Sequence, residues 1–379
     1  MKDVKIQKPD RFLSLDVFRG LTICLMILVN SPGTGAEIYP YLAHAQWFGF
    51  TLADLVFPSF LFAMGNAMSF SMGRLRSAPS NEFWKKVLKR TTLIFLLGFL
   101  MYWFPFFQQG AEGWELKPFS ETRIMGVLQR IALCYFIAAV LFYYLSEKKV
   151  LIISAIILLG YWAILYAFGV PGQELAMATN AGTLLDFHVL GDGHIYKGDA
   201  IPFDPEGILS TLPAVINVVG GFLAGTFIQR KGKSFEGIAK LMIAGGLLTV
   251  LALWWDLIFP IGKKLWTSPF SLYTIGIDLL VMGALIYFIE MKKQRFGIRF
   301  FTIFGKNPLV IYLFSELFYI SLRTIQVGNG KDAFEWVSEV IFQSIFPGSF
   351  GAFITGIVFM LVCWALGWWM DKNRIYIRL

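Results

Sequence analysis

The sequence predicts an all-α protein that crosses a membrane about ten times, and three observations support this fold class. Of the 379 residues, 56% are hydrophobic and 15% are charged, whereas soluble domains carry roughly 25% charged residues. Apolar runs of about 20 residues, the length that a membrane-spanning helix needs, recur along the whole chain. The short alternating segments of a transmembrane barrel are absent from the sequence.

These apolar runs define the predicted helices. Helices are the default for crossing a bilayer, because every backbone polar group must be satisfied within the segment. No linker or internal repeat divides the chain, so we expect one membrane domain over residues 1–379, with the loop 170–206 as a substrate-facing insertion. The ten predicted spans are 14–32, 51–73, 91–108, 122–145, 149–169, 207–229, 237–259, 269–290, 302–322 and 348–370.

The basic residues predict the orientation of the bundle. Of the 33 lysines and arginines, 24 lie in the two termini and in alternate loops, eight lie towards the other side, and Arg19 sits within the first span. Cytoplasmic loops are enriched in Lys and Arg, so both termini are predicted to be cytoplasmic. We therefore attribute the net charge of +8 to loops at the cytoplasmic face of the lipid bilayer. We expect no nucleic-acid partner.

Neither a disulfide framework nor a metal site is predicted. Cys24, Cys134 and Cys363 fall inside apolar runs, which indicates buried structural thiols. His188 and His194 stand near aspartates in the long loop, but their spacing fits no known ligand pattern. The polar, basic N-terminus lacks a small-residue cleavage site, so we expect no cleaved signal peptide.

One stretch dominates the search for function. Residues 44–65 read HAQWFGFTLADLVFPSFLFAMG and place His44 at the mouth of the second span, with Asp54 inside it. Titratable groups at this depth are costly unless they have a use. Ten residues separate the two side chains, about 15 Å along a straight helix. Their direct contact therefore requires the segment 44–50 to fold back over the helix.

Polar residues in other spans have two readings each. Asp16 and Arg19 are neighbours on one helix face and can pair, or Arg19 can bind a phosphate from a cavity. Asn30, followed by Ser-Pro-Gly, either ends the first helix or offers its amide at the depth of His44. Gln129 and Arg130 lie about two turns inside the fourth span, which favours a polar interior around them.

Further candidates lie at loop boundaries. Arg123 is placed where it can snorkel towards the interface. Asp204 and Glu206 are predicted to cap the helix that begins at 207, and their acidic loop would attract a cationic substrate. Lys264 and Trp266 belong to an exposed loop in which the indole could lie at headgroup depth or stack on a sugar. With Lys306, Asn307 is predicted to cap the ninth span and to meet phosphates.

Three segments resemble the heparan-α-glucosaminide N-acetyltransferase family. The stretch 44–65 meets every fixed position of H-A-x-W-x-G-x-T-x-A-D-L-V-F-P-x-F-x-F-x-x-G. Residues 123–133 resemble R-I-x-G-V-L-Q-R-I-A-L, and residues 260–267 resemble P-x-x-K-x-L-W-T. The opening 15–20 is also similar to the L-D-x-x-R-G of membrane acyltransferases. The resemblance implies that an acetyl group passes from cytoplasmic acetyl-CoA to the amine of a glucosamine-type sugar on the opposite side.

With this resemblance, the candidate residues receive roles. His44 is the expected general base or acetyl carrier, with Asn30 as oxyanion donor and Asp54 as a pocket residue. The residues expected to hold acetyl-CoA are Arg19, Gln129, Arg130, Lys306 and Asn307. The residues expected to bind the sugar are Trp47, Asp204, Glu206, Lys264 and Trp266.

Two other functions remain open at this point. The acceptor could be a hydroxyl, which would make the protein a glycan O-acetyltransferase. A proton-coupled secondary transporter using His44 and Asp54 is also compatible with interior charges and a proline-broken helix, although no repeat is visible. Lysosomal family members carry extra sequence before the first span, so we expect a bacterial cell membrane as the location, and the sequence allows a homo-oligomer.

Overall fold

The computed structural model describes residues 12–110, 113–199, 201–328 and 330–377, and nearly all of their regular structure is helical. The helices are α1 Leu13–Asn30, α2 Leu52–Arg76, α3 Ser80–Trp103, α4 Val127–Tyr144, α5 Glu147–Phe168, α6 Ala181–Leu190, α7 Thr211–Lys231, α8 Phe235–Asp256, α9 Ser268–Leu285, α10 Ile298–Lys306, α11 Pro308–Thr324, α12 Ala333–Trp336, α13 Gln343–Ile345 and α14 Ser349–Lys372.

The long helices confirm the predicted fold class, an all-α polytopic membrane protein. Each of the ten predicted spans overlaps one helix of 17 residues or more, although 302–322 also takes in the end of α10, and eight of these ten helices are long and apolar enough to cross a membrane. The other two are α3, whose first three turns carry charged residues, and α11, which has 17 residues. Two small antiparallel hairpins, β1 Phe107–Gly110 with β2 Gly113–Leu116 and β3 Gln326–Gly328 with β4 Lys331–Asp332, lie between helices.

Because consecutive spans alternate in direction, the bundle has two distinct ends. We call the end that holds the α1–α2 connection the His44 end, and the end that holds the α2–α3 connection the basic end. The long loop 170–206 belongs to the His44 end and is itself ordered, with α6 and a 3₁₀ turn at Asp192–His194. The bundle therefore carries a structured cap over the His44 end.

Four predicted helix starts were wrong. Helix α3 begins at Ser80 rather than 91, and α11 begins at Pro308 rather than 302, after α10 has ended at Lys306. Helix α4 begins at Val127 rather than 122, and α7 begins at Thr211 rather than 207. Asp204 therefore does not cap a helix: its Oδ1 accepts the backbone N–H of Glu206 at 3.0 Å inside a tight turn. The chain between 204 and 210 stays out of the helix because its polar side chains bind neighbouring loops instead of the orphan N–H groups of the first turn.

Asn307 also departs from its predicted capping role. It stands at the N-cap position of α11, but its side chain caps no N–H group of that helix. Instead, its amide donates to the carbonyl of Ile375 at 2.8 Å and accepts the N–H of Ile377 at 3.0 Å. Asn307 thus ties the C-terminal segment to the basic end.

Close helix packing depends on glycine at the α2–α7 contact. A Cβ added at Gly65 would stand 1.9 Å from the carbonyl oxygen of Val218, and one added at Gly221 would stand 1.9 Å from that of Phe62. Small residues allow membrane helices to approach at backbone distance. This contact fixes α2, whose first turn carries the central residues of the site.

Candidate active site

The N-terminus of α2 brings His44 and Asp54 together. Thr51 is the N-cap, and the Asp54 carboxylate accepts its N–H at 3.0 Å and that of Ala45 at 3.2 Å. The Thr51 hydroxyl donates to the carbonyl of Ala43 at 2.7 Å. These bonds fold the preceding segment over the helix start, and His44 Nδ1 lies 2.9 Å from Asp54 Oδ1. The fold-back that this contact requires is therefore present, and Asp54 is completely buried.

Lys263 is the third member of this group. Its Nζ lies 3.0 Å from His44 Nε2 and 3.2 Å from Nδ1. The N–H of Gly49 donates to the carbonyl of Ile261 at 2.8 Å, which holds the lysine loop against the histidine segment. The sequence pattern led us to expect Lys264 as the lysine that binds the sugar, but its ammonium pairs with Asp199. The signal was present, because the lysine of P-x-x-K-x-L-W-T falls on residue 263.

The environment of His44 favours its neutral form. Burial lowers the pKa of His44 below its ordinary value of 6.5. The hydrogen bond to Asp54 raises this pKa and the ammonium of Lys263 lowers it, with a net decrease. The imidazole is therefore uncharged at pH 7 and can accept a proton. Its side chain is 36% exposed, so a substrate can reach it.

Arg123 forms an ion-pair clamp beside this group. Its guanidinium donates to both carboxylate oxygens of Asp204, at 3.0 and 2.6 Å, and to Glu206 at 2.6 Å. The rings of Tyr102 and Tyr196 lie 5.0 and 4.6 Å from its central carbon. Only 13% of the side chain is exposed. The prediction that Arg123 snorkels to the interface was therefore wrong.

Glu206 connects the clamp electrostatically to His44. Burial opposes its ionisation, but the charges of Arg123, Arg130 and Lys263 hold the pKa of Glu206 below its ordinary value. For Lys263, burial lowers the pKa of the ammonium, and the carboxylate of Glu206 is the largest opposing influence. The charged groups of the His44 end therefore form one coupled set around the imidazole.

Trp266 is not exposed as the sequence analysis expected. Its side chain is fully buried, and its indole N–H donates to Asn217 Oδ1 at 3.2 Å. The guanidinium carbon of Arg130 lies 4.9 Å from the ring. A sugar ring therefore cannot stack on Trp266 without displacing this packing, and the prediction of an exposed indole was wrong.

Arg130 is fully buried and lies between Trp266 and the turn before α7. Its Nη2 donates to the carbonyl of Gly207 at 2.9 Å and also meets the Ser210 hydroxyl. Its Nε and Nη1, and both amide atoms of the neighbouring Gln129, have no hydrogen-bond partner among the residues that the structure describes. Four polar atoms are thus left in the interior close to the His44 end.

The remaining candidates of the His44 end have separate partners. The half-buried Trp47 donates its indole N–H to the carbonyl of Leu175 at 2.9 Å, which fixes it to the long loop. Asn30 is exposed, and its amide lies 3.4 Å from Glu316 Oε1. The structure therefore places Asn30 beside a carboxylate rather than on the histidine ring.

A large cavity begins at the basic end. It has a volume of about 720 Å³ and is lined by Arg19, Arg90 and Lys306, with Asp16 as the acidic lining residue. It extends as far as Leu128, the second residue of α4, which starts at the His44 end. Cations at one end and apolar walls along the path suit a long ligand with an anionic head.

The cations of the cavity are held by identifiable contacts. Arg19 donates from Nε to the carbonyl of Gly305 at 2.7 Å and from Nη2 to Asp16 at 2.8 Å. Lys306 lies 2.5 Å from Asp371. Arg90, which the sequence analysis missed, packs 4.5 Å from the ring of Tyr135, and its Nε has no partner in the described ranges. Its position at the end of a predicted basic loop gave no signal of a cavity.

His194 and Asp186 of the long loop make other contacts. His194 Nδ1 lies 2.7 Å from the carbonyl of Thr122, and Asp186 accepts the N–H of Ile208 at 2.8 Å. Burial raises the pKa of Asp186 to about 7. Among the described residues, no group of three or more His, Cys, Asp or Glu is arranged to hold a metal ion.

Comparisons with known proteins agree on one family. Residues 11–179 match the family described as "Heparan-alpha-glucosaminide N-acetyltransferase, catalytic". The human heparan-alpha-glucosaminide N-acetyltransferase is 26% identical over 363 residues, which cover 82% of this chain and 53% of the human protein. Its mouse counterpart is 25% identical over 368 residues, with 83% and 55% covered. The chain thus spans about half the length of the curated relatives it matches.

Proposed function

We propose, from the premise that this chain is a member of the heparan-alpha-glucosaminide N-acetyltransferase family, that it transfers an acetyl group from acetyl-CoA to the amine of a glucosamine-type sugar. One observation carries the proposal. His44 is accessible and neutral, is oriented by a buried carboxylate, and stands beside an ammonium group. Attack of an amine on a thioester needs a base for the amine proton and a positive charge for the developing oxyanion, and these groups can supply both.

The contact with Asp54 assigns the roles of the two ring nitrogens. The carboxylate accepts the proton of Nδ1, so Nε2 carries the lone pair, which accepts from the Lys263 ammonium at 3.0 Å until the acceptor amine displaces that contact. As the amine nitrogen attacks the thioester carbonyl, its proton passes to Nε2, and the C–S bond breaks when the tetrahedral intermediate collapses. The thiolate then recovers the proton from the imidazolium. In a second route, Nε2 itself attacks and carries the acetyl group before the amine accepts it.

Lys263 and Asn30 are the proposed stabilisers of the developing oxyanion. The Lys263 ammonium stands 3.0 Å from His44 Nε2, so positive charge is already present where negative charge will form. The Asn30 amide, exposed at the end of α1, would have to leave Glu316 Oε1, 3.4 Å away, to act as the second donor.

The basic cavity is the proposed donor site. The phosphates of acetyl-CoA would meet Arg19, Arg90 and Lys306, because guanidinium and ammonium groups bind phosphate strongly. The pantetheine arm would follow the apolar wall towards Leu128. The unpartnered polar atoms of Gln129 and Arg130, at the next two positions of α4, would meet its amides. The excess of Lys and Arg at this end favours its placement in the cytoplasm.

The acceptor would enter at the His44 end. Asp204 and Glu206 provide negative charge for the sugar ammonium, although Arg123 already holds both carboxylates, so the substrate must compete with or join this clamp. Trp47 and Lys264 lie on the loops that frame the same opening. The sugar would therefore be recognised by polar contacts rather than by stacking on Trp266.

The test is product formation by purified protein in lipid nanodiscs, supplied with acetyl-CoA and methyl glucosaminide and analysed by mass spectrometry. We expect an N-acetylated product from the parent protein and none above background from His44→Ala. Methyl glucoside, which offers only hydroxyl groups, separates N- from O-acetylation. Acetylation of the glucoside alone would replace the amine by a hydroxyl acceptor, and failure to bind acetyl-CoA would overturn the transferase proposal in favour of transport.

A further inference from the structure

A second large cavity opens between four helices, away from both sites described so far. It has a volume of about 510 Å³, within the range of about 300–1,000 Å³ typical of ligand pockets, and it is lined by α5, α7, α8 and α9. Its walls are apolar except for Ser154 and Lys240. Ser154 donates to the carbonyl of Val150 at 2.8 Å, and Lys240 pairs with Glu236 at 2.6 Å, so both have partners within the protein.

This groove runs along most of the bilayer-spanning part of α8. Lys240 lies at its basic end and Trp255 lies at its His44 end. Fifteen residues of helix separate them, a rise of about 22 Å. The hydrocarbon core of a bilayer is about 30 Å thick, so the groove is long enough to hold an extended alkyl chain parallel to the helices.

At the His44 end of the groove, Trp255 lines the wall and packs against Trp162, which is not itself among the lining residues. The indole rings of Trp162 and Trp255 lie 5.7 Å apart, edge to face. Their N–H groups are buried, and neither has a hydrogen-bond partner in the part of the chain that the structure describes. Buried donors normally find an acceptor, because leaving one unpaired is costly. A ligand with an apolar chain and an oxygen atom at its end would satisfy both requirements.

The same end of the groove continues into the active-site region. Trp162 and Trp255 pack in one hydrophobic cluster with Trp47 and Leu265. Trp47 is three residues from His44, and Leu265 is two residues from Lys263. A ligand chain in the groove would therefore place its polar end against the cluster that supports the catalytic loops.

We propose that the groove binds the hydrocarbon chain of a lipid-linked acceptor, an amino sugar carried on a single long alkyl or isoprenoid chain. This inference rests on the proposed acetyl transfer and specifies the class of its acceptor. The chain lies between α5 and α8, the indole N–H groups of Trp162 and Trp255 donate to the linkage oxygens, and the sugar amine reaches His44. If an ordinary bilayer lipid or a second copy of the protein occupied the groove instead, a substitution in the groove would not change the preference for the dodecyl acceptor in the following test.

The experiment compares methyl and dodecyl glucosaminide as acceptors for the whole protein in lipid nanodiscs. We expect kcat/KM to be at least about tenfold higher for the dodecyl compound, because burial of each methylene is favourable. Ala155→Trp places an indole in the middle of the groove, since Ala155 lines it from α5, and should reduce the dodecyl-to-methyl ratio about tenfold. Leu247→Trp is the matched control, because Leu247 is exposed on α8 outside the groove. The Leu247→Trp protein should keep the parental dodecyl-to-methyl ratio. Because the dodecyl compound partitions into the bilayer equally for both variants, partitioning alone cannot produce a difference between them.

The outcomes separate the two proposals. If methyl and dodecyl glucosaminide react equally well, or if Ala155→Trp keeps the parental ratio, the groove does not hold the acceptor chain, whereas the acetyltransferase proposal survives. If neither compound is acetylated, both proposals fail. As a second readout, Trp162→Phe with Trp255→Phe keeps the aromatic packing and removes both N–H donors. Because both glucosaminides carry the linkage oxygen, this variant should raise KM for both severalfold and keep the dodecyl-to-methyl ratio, and an unchanged KM for both would contradict the assigned contact.

Discussion

The two ends of the bundle use charge differently. At the His44 end, each described cation of the site has a named partner: Arg123 binds two carboxylates, Lys264 binds Asp199 and Lys263 contacts His44. In the basic cavity, Arg19 pairs with Asp16 and Lys306 pairs with Asp371. Among the described residues that line it, however, the three cations Arg19, Arg90 and Lys306 stand against one acid, Asp16. Paired charges fix geometry and adjust a pKa, whereas an excess of cations attracts an anion. This difference supports the proposal that the chemistry takes place at the His44 end and that the donor binds at the basic end.

The sharpest way to break this division is to remove the imidazole. His44→Ala should reduce kcat by a factor of about 10²–10⁴, because it removes the base that accepts the amine proton. The affinity for acetyl-CoA, measured by calorimetry, should not change, since the donor binds at the opposite end. His188→Ala, on the exposed face of α6, is the control and should keep parental activity. A fully active His44→Ala protein would remove the catalytic assignment.

The clamp at the His44 end should dominate stability rather than chemistry. Arg123→Met leaves Asp204 and Glu206 as buried carboxylates without their partner, at a cost of about 3 kcal/mol in the free energy of unfolding. The measurement is the midpoint of thermal denaturation in detergent. Arg323→Met is the control: this arginine also bridges two acids, Asp332 and Glu335, but it is 39% exposed, and exposed pairs contribute little. Equal midpoints for the two variants would show that the clamp is not structurally important.

The basic end should affect donor affinity alone. Arg90→Met should weaken acetyl-CoA binding about tenfold, the value of one charge-assisted hydrogen bond, and leave kcat at saturating donor unchanged. Lys89→Met, one position earlier and exposed, is the matched control for net charge and should bind like the parent. Identical dissociation constants for all three proteins would exclude Arg90 from the donor site. The same assay applied to Arg130→Ala tests the prediction that Arg130 meets the donor.

The sequence predicted spans better than it predicted contacts. Span positions follow from hydropathy, which is local, and so ten long helices overlap the predicted spans, although four of them begin elsewhere than predicted. The contact of His44 with Asp54 depended on a fold-back, which the Thr51 capping box produces and which its local pattern could have suggested. The burial of Trp266 and the cavity position of Arg90 depend on how distant helices pack. Hydropathy does not predict which residues of other helices a polar side chain will contact.

The smallest predicted effect concerns the pH dependence of the reaction. Burial and the Lys263 ammonium lower the pKa of His44 below 6.5, so kcat/KM, corrected for the fraction of the acceptor present as free amine, should rise through a midpoint below pH 6.5 and be constant by pH 7. Lys263→Met removes a positive charge that disfavours the imidazolium. The pKa of His44 should therefore increase, and the acidic limb should move to higher pH. Lys264→Met removes the same charge one residue further on, where the lysine pairs with Asp199, and should leave the midpoint in place.

A shift in both variants would indicate a general effect of surface charge, and a shift in neither would show that Lys263 does not influence the catalytic imidazole. A shift in Lys263→Met alone would locate the pH response in the contact between His44 and Lys263. It would also distinguish the His44 end, where charge adjusts the pKa of a base, from the basic end, where charge is proposed to bind the donor.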